Sequence, residues 1–402
     1  MIHNINKKVA LTGGAAAAEA LRQINPDVMP VYPITPQTPI IETFAKFQAE
    51  RMVDTEIIPV ESEHSMMSAC VGASAAGART VTASSSQGIA LMNEILPIAS
   101  GMRLPIMMVV SARALSAPIN IHCDHSDMMS VRDTGWIQIF SENAQEAYDN
   151  VIIGLKLAEK VKLPVMVAMD GFITSHSVEN LEILPDETVK KFVGDYQPEK
   201  FLLNVNDPHV FGPVALPDSY FEFRIDQAEA MKNVFQGYLE VVKEFKEISG
   251  REYGMFYDYL CHDAENVIVI AGSAAGTARV VTDRMRDEGK KVGILKIKLF
   301  RPFPHKEIAE AIMTAKKITV MDRAMSIGTY PPIYSEIVNA MNAFNKPNSC
   351  LPRRQAGKIQ IGSFVYGLGG RDLFQKNIEG VFEDLIKGEI SKDIKYVGNK
   401  NG

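Results

Sequence analysis

Short apolar runs alternate with helical stretches from residue 8 to about residue 190. The run at 106–111 is almost continuously apolar, which is typical of a strand that is buried on both faces. Strands that alternate with helices predict a parallel sheet covered by helices, an α/β fold. The predicted strands are 9–12, 29–32, 57–60, 80–83, 106–111 and 165–168, and the predicted helices are 15–23, 62–78, 87–98 and 145–160.

A different pattern covers residues from about 180 to 260, where five prolines precede a long amphipathic stretch at 227–247. This predicts an extended connection that ends in a linking helix. A second α/β pattern then begins near residue 265, with predicted strands at 267–271, 292–297, 317–321 and 359–363 and helices at 277–288, 306–314 and 333–342. We therefore expect domains at 1–190 and 261–402, joined by a linker at 191–260.

The composition is that of an ordinary globular protein, with 46% apolar residues, 22% charged residues and a net charge of −6 over 402 residues. No long basic tract is present, which disfavours a nucleic-acid partner. No apolar run is long enough to predict a membrane span. The apolar stretch near the N-terminus is interrupted by Gly13 and Gly14 and followed by Glu19, which favours a strand, a turn and a helix over a secretory signal. We expect a cytoplasmic location.

The four cysteines, Cys70, Cys123, Cys261 and Cys350, are far apart, and no CxxC spacing occurs. Iron–sulfur clusters and structural zinc sites usually use at least one close pair. We therefore expect reduced cysteines and no metal site in this chain. The glycine-rich stretches at 13–14 and 367–372 do not match the dinucleotide-binding pattern.

Three segments carry side chains that suggest a site. In YPITP, at 32–36, two prolines restrain the backbone after a predicted strand, and Thr35 offers a hydroxyl there. Glu61 and Glu63 flank Ser62 where the helix 62–78 begins, so each could be a helix cap or a carboxylate that faces a ligand. Arg113 follows the strand 106–111 and could clamp a carboxylate or lie at an interface.

The segment HCDHSD, at 122–127, has residue types that bind zinc or iron. All of them lie in one short loop, and no distant partner is evident. A polar loop at an active site or interface is the preferred interpretation.

Taken in order along the chain, several segments resemble the pyruvate:ferredoxin oxidoreductase family, also described as 2-oxoacid:acceptor oxidoreductases. They cover nearly the whole chain, and they are YPITPQTP at 32–39, ESEHS at 61–65, GASAAGA at 72–78, SSQG at 85–88, ARALSAPINI at 112–121, RDTGW at 132–136, FRPFP at 300–304 and YGLGGRD at 366–372.

The resemblance implies an α subunit with a pyrimidine-type thiamine-diphosphate-binding domain, followed by a transketolase C-terminal-like domain. It implies partner subunits of the β, γ and δ types. The β subunit would hold the diphosphate and Mg²⁺, and 4Fe–4S clusters would lie in the partners. The reaction implied is oxidative decarboxylation of a 2-oxoacid with coenzyme A, with electrons passed to ferredoxin or another acceptor, and only in the assembled complex.

By the same resemblance, Glu63 contacts N1′ of the thiamine aminopyrimidine and Pro33 makes a backbone contact to that ring. Thr35 and Arg113 hold the carboxylate and carbonyl of the 2-oxoacid. Thr35 stands where an oxalate-type relative is expected to carry arginine.

The resemblance leaves the substrate open. Pyruvate is preferred. In the loop after Arg113, His122 and Cys123 stand where relatives often carry an aromatic residue and Asn, so an aromatic or branched 2-oxoacid (phenylglyoxylate or 2-oxoisovalerate) stays an alternative. Two further hypotheses are a non-catalytic assembly subunit and a metal-dependent hydrolase that uses His122, His125 and Asp127.

Overall fold

The computed structural model describes residues 6–344, 359–391 and 393–400. Its first half contains eight strands: β1 (Lys7–Thr12), β2 (Val28–Val31), β3 (Glu56–Pro59), β4 (Val81–Ser84), β5 (Met107–Ala112), β6 (Ile137–Ser141), β7 (Val165–Asp170) and β8 (Val178–Ile183). The helices between and after them are α1 (Gly13–Ile24), α2 (Thr38–Ala49), α3 (Glu63–Ala76), α4 (Ser86–Leu91), α5 (Leu96–Gly101), α6 (Ser126–Ser130), α7 (Ala144–Val161), α8 (Ile173–His176) and α9 (Asp186–Val193).

The N-terminal sheet is parallel at its centre, with β4, β5, β7 and β6 as successive hydrogen-bonded neighbours. The parallel pair of β2 and β3 continues it beyond β4 through a single bridge between Val28 and Thr80. The strands β1 and β8 form a separate antiparallel pair. The predicted parallel α/β architecture is confirmed.

The helix α10 (Tyr220–Ser249) leads into the second half of the chain. There the strands are β9 (Phe256–Tyr259), β10 (Asn266–Ala271), β11 (Val292–Ile297), β12 (Leu299–Arg301), β13 (Lys317–Asp322), β14 (Gln360–Tyr366) and β15 (Lys395–Val397). The helices are α11 (Ala274–Asp287), α12 (His305–Ile312), α13 (Pro332–Phe344) and α14 (Gln375–Lys387).

The C-terminal sheet has the order β15-β14-β13-β10-β11-β9, and only β9 runs antiparallel to its neighbour. Its four central strands and first three helices lie close to their predicted positions. The helix α14 and the edge strands β9 and β15 were not predicted. Cys350 lies outside the described residues.

Two sequence predictions need correction. The single helix expected at 87–98 is wrong, because α4 ends at Leu91 and α5 begins at Leu96. Pro97 lies in the first turn of α5, where a backbone N–H would have no partner within the helix. In the middle of a continuous helix, Pro97 would remove a backbone hydrogen bond, and its ring would clash with the carbonyl group four residues earlier. The helix expected at 227–247 begins seven residues earlier, at Tyr220.

The two halves of the chain contribute to one sheet and one apolar cluster across the expected domain boundary. The strand β12 comes from the second half but pairs with β6 of the N-terminal sheet. One buried apolar cluster includes Met108 and Phe140 from the first half together with Val269 and Ile318 from the second. The division at 190 and 261 therefore stays a prediction.

Asp170, the last residue of β7, links the two halves of the chain through hydrogen bonds and an ion pair. Its carboxylate is buried and accepts hydrogen bonds from His125 Nε2 at 2.8 Å and Arg323 Nη1 at 2.6 Å. Ser273 donates to it from its backbone N–H at 3.1 Å and from its hydroxyl at 2.6 Å. These charged partners hold the pKa of Asp170 far below its usual range, in spite of burial.

A second buried ionic contact joins the same halves. Lys296 on β11 donates to Glu142, which follows β6, and to Glu146 on α7, with both distances 2.6 Å. All three side chains are buried, so the ammonium and the carboxylates compensate one another where water does not reach them.

We predict that Asp170→Asn lowers the free energy of unfolding by about 3–5 kcal/mol, because it leaves the buried Arg323 guanidinium without its counter-charge. Denaturant unfolding of the purified chain measures the change. The control is Glu182→Gln, which breaks the exposed Lys8–Glu182 pair and is expected to cost less than about 1 kcal/mol. Equal effects of the two variants would contradict a structural role for Asp170.

Candidate active site at the carboxyl edge of the N-terminal sheet

The predicted site residues all follow strands of the N-terminal sheet. Thr35 follows β2, Glu63 follows β3 and Arg113 follows β5. Since these strands are parallel, their carboxyl ends lie on one edge of the sheet, where α/β proteins place ligands. The fold therefore brings segments separated by 28 to 78 residues to one edge.

Glu63 is the first residue of α3, and its carboxyl group is buried. Ser62 caps the helix, because its hydroxyl accepts a hydrogen bond from Ser65 N–H. No other residue of the described chain donates to the Glu63 carboxyl, and burial raises its pKa above the usual value. A buried carboxyl whose only protein donor is its own backbone N–H is poorly compensated, so it points to a ligand that forms a hydrogen bond with it.

Gly88 on α4 lies directly against this carboxyl group. A Cβ atom built there would be 2.7 Å from Glu63 Oε1 and 2.5 Å from Ser84 Oγ. Ser84 Oγ is itself buried without a hydrogen-bond partner. Only glycine leaves room beside the carboxyl group at this point.

Glu61 differs from Glu63 although it lies only two residues away. Its side chain is exposed and accepts a hydrogen bond from the Ser65 hydroxyl at 2.6 Å, which lowers the pKa of the Glu61 carboxyl. Of the two acidic residues at this helix terminus, Glu63 is therefore the one that faces the protein interior.

Arg113 is held in one orientation by main-chain carbonyl groups. Its Nη1 donates to Thr35 O at 2.8 Å and its Nε donates to Asn120 O at 2.9 Å. Within the described residues Nη2 has no acceptor, and burial lowers the pKa of the guanidinium. The structure thus brings Thr35 and Arg113 together, with one edge of the guanidinium available to a ligand.

The turn that carries Thr35 and Pro33 projects from the sheet, and both residues are exposed. Gln37 fastens this turn to the sheet, since its Nε2 donates to Tyr32 O at 3.2 Å and to Ala83 O at 2.7 Å. Gln37 was not among the residues predicted from the sequence. A polar residue directly after a proline-rich turn was the only available signal.

Asp127 holds main-chain segments of the site in place. Its position in the sequence did not predict this role. Its carboxylate accepts from Ser86 N–H and Arg113 N–H, both at 2.9 Å, and from Met128 N–H at 2.7 Å. Burial raises the pKa of Asp127 to about 7, against the effect of these backbone donors. The residue ties the ends of β4 and β5 together.

The loop 122–127 does not form the metal site of the hydrolase hypothesis. His122 is exposed, and Asp127 is occupied by backbone donors. Among the described residues, a different group with metal-binding atoms close together is Cys123, His125 and Asp170. The Arg323 guanidinium already compensates that carboxylate, so the group fits a structural contact.

Two family models match this chain. "Pyruvate flavodoxin/ferredoxin oxidoreductase, thiamine diP-bdg" matches residues 19–243, and "Pyruvate:ferredoxin oxidoreductase core domain II" matches residues 264–378. The chain belongs to the pyruvate:ferredoxin oxidoreductase family. It is an oxidoreductase chain whose first half is a thiamine-diphosphate-binding domain.

The chain is 51% identical to the pyruvate synthase subunit PorA of Thermotoga maritima over 99% of both chains. It is 40% identical to the ketoisovalerate oxidoreductase subunit VorA of Pyrococcus horikoshii over 98% of this chain and 99% of the relative. Among solved structures, it resembles the 2-oxoglutarate:ferredoxin oxidoreductase from Magnetococcus marinus with a TM-score of 0.70 at 20% identity. The likeness covers 96% of this chain and 65% of that chain, and it supports the fold.

In a thiamine-diphosphate-binding domain, the surroundings of Glu63 suit a ligand that forms a hydrogen bond with its carboxyl group. Among the described residues, the Glu63 carboxyl has no donor other than its own backbone, and Gly88 packs directly against it. Of the helices in the described part of the chain, none is long and apolar enough to cross a membrane.

We predict that Glu63→Gln stabilises the cofactor-free protein in a pH-dependent way. The folded chain holds the Glu63 proton more tightly than the unfolded chain, so the ionised carboxyl weakens the fold above its raised pKa. The variant should therefore melt above the wild type at about pH 8, with the gain lost at about pH 4. Glu61→Gln, in which an exposed carboxylate with a lowered pKa is removed, should show no such gain. A pH-independent difference for Glu63→Gln would contradict the assignment.

We predict that Gly88→Ala weakens binding of thiamine diphosphate by the assembled complex by at least about tenfold, because its Cβ must displace the Glu63 carboxyl or Ser84. Calorimetric titration of the cofactor measures the affinity. Gly380→Ala on α14, where a Cβ meets nothing within 4 Å, is the control and should bind as the wild type does. Unchanged affinity in Gly88→Ala would exclude this side of Glu63 as the cofactor site.

Proposed function

We propose that this chain is the α subunit of a thiamine-diphosphate-dependent 2-oxoacid:ferredoxin oxidoreductase, and that it works only in a complex with other subunits. The observation that carries the proposal is the buried carboxyl of Glu63, to which no other described residue donates, on the sheet edge that also bears Arg113 and Thr35. Membership of the family supplies the reaction class.

In this proposal Glu63 shares a hydrogen bond with N1′ of the aminopyrimidine, and Pro33 contacts that ring through its backbone. The protonated carboxyl donates to N1′ of the neutral ring, and the carboxylate accepts from N1′–H of the protonated ring. The cofactor, when bound, supplies the carbanion chemistry that cleaves a 2-oxoacid next to its carbonyl group. Glu63 is suited to this because burial raises its pKa, which favours a shared proton between the carboxyl and a ring nitrogen.

Arg113 and Thr35 bind the 2-oxoacid. The free Nη2 edge of Arg113 pairs with the substrate carboxylate, since guanidinium and carboxylate groups have complementary geometry. The exposed Thr35 hydroxyl donates to the substrate carbonyl or carboxylate. Because Arg113 is already held by two main-chain carbonyl groups, it loses little side-chain freedom when substrate binds.

Partner subunits complete the site. We infer that a β-type subunit holds the diphosphate and Mg²⁺, and that partners of the β, γ and δ types carry 4Fe–4S clusters that pass electrons to ferredoxin or another acceptor. The relatives' names support assembly, since PorA and VorA are both named as subunits. Coenzyme A takes the acyl group. A cytoplasmic location belongs to the same proposal.

Pyruvate is the proposed substrate, and 2-oxoisovalerate is the second candidate. The match to pyruvate synthase subunit PorA at 51% identity favours pyruvate. The match to a ketoisovalerate oxidoreductase subunit at 40% identity keeps the branched 2-oxoacid open.

The test uses the complex purified through a tag on this chain, with thiamine diphosphate and coenzyme A. Viologen reduction is followed with pyruvate, 2-oxoisovalerate and phenylglyoxylate in turn. We expect the highest kcat/KM with pyruvate. Reduction by none of the three would move support to a non-catalytic assembly role.

Two variants of that complex test the residue roles. We predict that Glu63→Gln lowers kcat at least about 100-fold, the usual scale of a lost proton-transfer group, whereas Glu61→Gln retains activity. Arg113→Lys should raise KM for pyruvate at least about tenfold with a smaller change in kcat, because lysine cannot form the bidentate pair. Wild-type kinetics in Glu63→Gln would refute the proposed site.

A further inference from the structure

A turn of the C-terminal half lies on the loop that follows Arg113. This turn, Leu368–Gly370, comes directly after β14, and we refer to residues 367–370 as the glycine turn. Residues 116–123, the loop after Arg113, are called the substrate loop. Gly370 N–H donates to Cys123 O at 2.7 Å, so the main chains of the two segments are in direct contact.

Three glycines of the turn have positive φ angles, and each faces a different group. Cβ atoms built on them would lie 2.7 Å from Arg323 Nε at Gly367, 2.5 Å from Asn120 Nδ2 at Gly369 and 2.4 Å from His122 Cβ at Gly370. The turn therefore needs glycine for its backbone conformation and also for its approach to the substrate loop.

Asn120 connects the glycine turn to Arg113. Its Nδ2 donates to Gly369 O at 3.1 Å, and its Oδ1 accepts from His122 N–H at 2.6 Å. Its own carbonyl oxygen accepts from Arg113 Nε at 2.9 Å. A single residue thus contacts the turn with its side chain and the guanidinium with its main chain.

The glycine turn is also anchored to Arg323, which pairs with the buried Asp170 carboxylate. Arg323 Nε donates to Gly367 O at 3.4 Å, and Arg323 Nη1 donates to Asp170. His125, which also donates to Asp170, lies two residues after the end of the substrate loop. The Asp170 carboxylate therefore anchors the glycine turn through Arg323 and the end of the substrate loop through His125.

We propose that Asn120 and Gly369 are positioning residues, through which the C-terminal half sets the orientation of the Arg113 guanidinium for the 2-oxoacid carboxylate. The inference rests on the proposed role of Arg113. Two of the guanidinium nitrogens are bound to main-chain carbonyls, so moving Asn120 O rotates the plane that presents Nη2. Misplacement of a binding group by about 1 Å commonly reduces turnover or binding by up to about 100-fold.

The test measures kinetics of the assembled complex with pyruvate. Asn120→Ala and Asn120→Asp should each raise KM for pyruvate at least about fivefold while KM for coenzyme A stays unchanged. The aspartate retains the acceptor for His122 N–H but cannot donate to Gly369 O. Asn120→Ala removes the same donor without adding a charge near Arg113, so agreement between the two variants assigns the effect to the contact with the glycine turn. A wild-type KM for pyruvate in both variants would overturn the proposal.

Gly369→Ala should raise KM for pyruvate in the same way, since its Cβ meets the Asn120 amide. The matched control is Gly328→Ala, which also carries a positive φ but meets nothing within 4 Å, and it should leave KM unchanged. Melting temperatures of both variants report backbone strain separately from substrate binding.

A double variant separates positioning from a merely structural effect. If Gly369 acts through Asn120, Gly369→Ala should raise KM by less than about twofold in the Asn120→Ala background, because the contact is already lost. If Gly369→Ala raises KM by the same factor in the Asn120→Ala background as in the wild type, the two residues act independently and the proposed coupling is overturned.

The Arg113→Lys variant separates the proposed substrate role of Arg113 from the proposed positioning role of Asn120 and Gly369. If it raises KM for pyruvate but the Asn120 and Gly369 variants do not, the positioning role fails and the substrate role of Arg113 stands. If Arg113→Lys leaves KM unchanged, the proposed function of Arg113 fails, and a KM change in the Asn120 variants then contradicts a route through Arg113.

Discussion

The Asp170 carboxylate accepts hydrogen bonds from His125, Ser273 and Arg323, which belong to three segments far apart in the sequence. A buried carboxylate needs this number of donors, because its desolvation in the interior is otherwise uncompensated. Its position at the end of β7 places the contact beside the candidate active site. Through His125 it fixes the base of the substrate loop, and through Arg323 it anchors the glycine turn of the other half.

Glu63 is the opposite case, a buried carboxyl to which no other described residue donates a hydrogen bond. Gly88 packs directly against this carboxyl group, at a distance that only glycine permits. Such a group lowers the stability of the free chain, and proteins retain such costs mainly at functional sites. Asp170 and Glu63 lie on one edge of one sheet, and their different partners explain why one supports the fold and the other suits a ligand.

Patterning predicted the fold class well, because strands buried on both faces leave nearly continuous apolar runs such as β5 and β10. It failed where a single residue decided the outcome, as at Pro97, or where the strand was a short edge strand such as β12. It placed Thr35, Glu63 and Arg113 after strands. It could not tell which atoms of Arg113 are free, or that Glu61 and Glu63 face different surroundings.

The sequence by itself determined the α/β architecture, the family and the residues that follow the parallel strands, since local periodicity and motif order are written in the chain. Tertiary structure alone decided the roles of Asp127, Asp170, Asn120 and Gly369. Each of them has a partner that is at least 41 residues away along the chain, from Ser86 for Asp127 to Gly369 for Asn120. The contacts of Asp170 with Arg323 and of Asn120 with Gly369 form only when the two halves pack together. A hydrogen bond depends on position within a few tenths of an ångström, which sequence spacing does not encode.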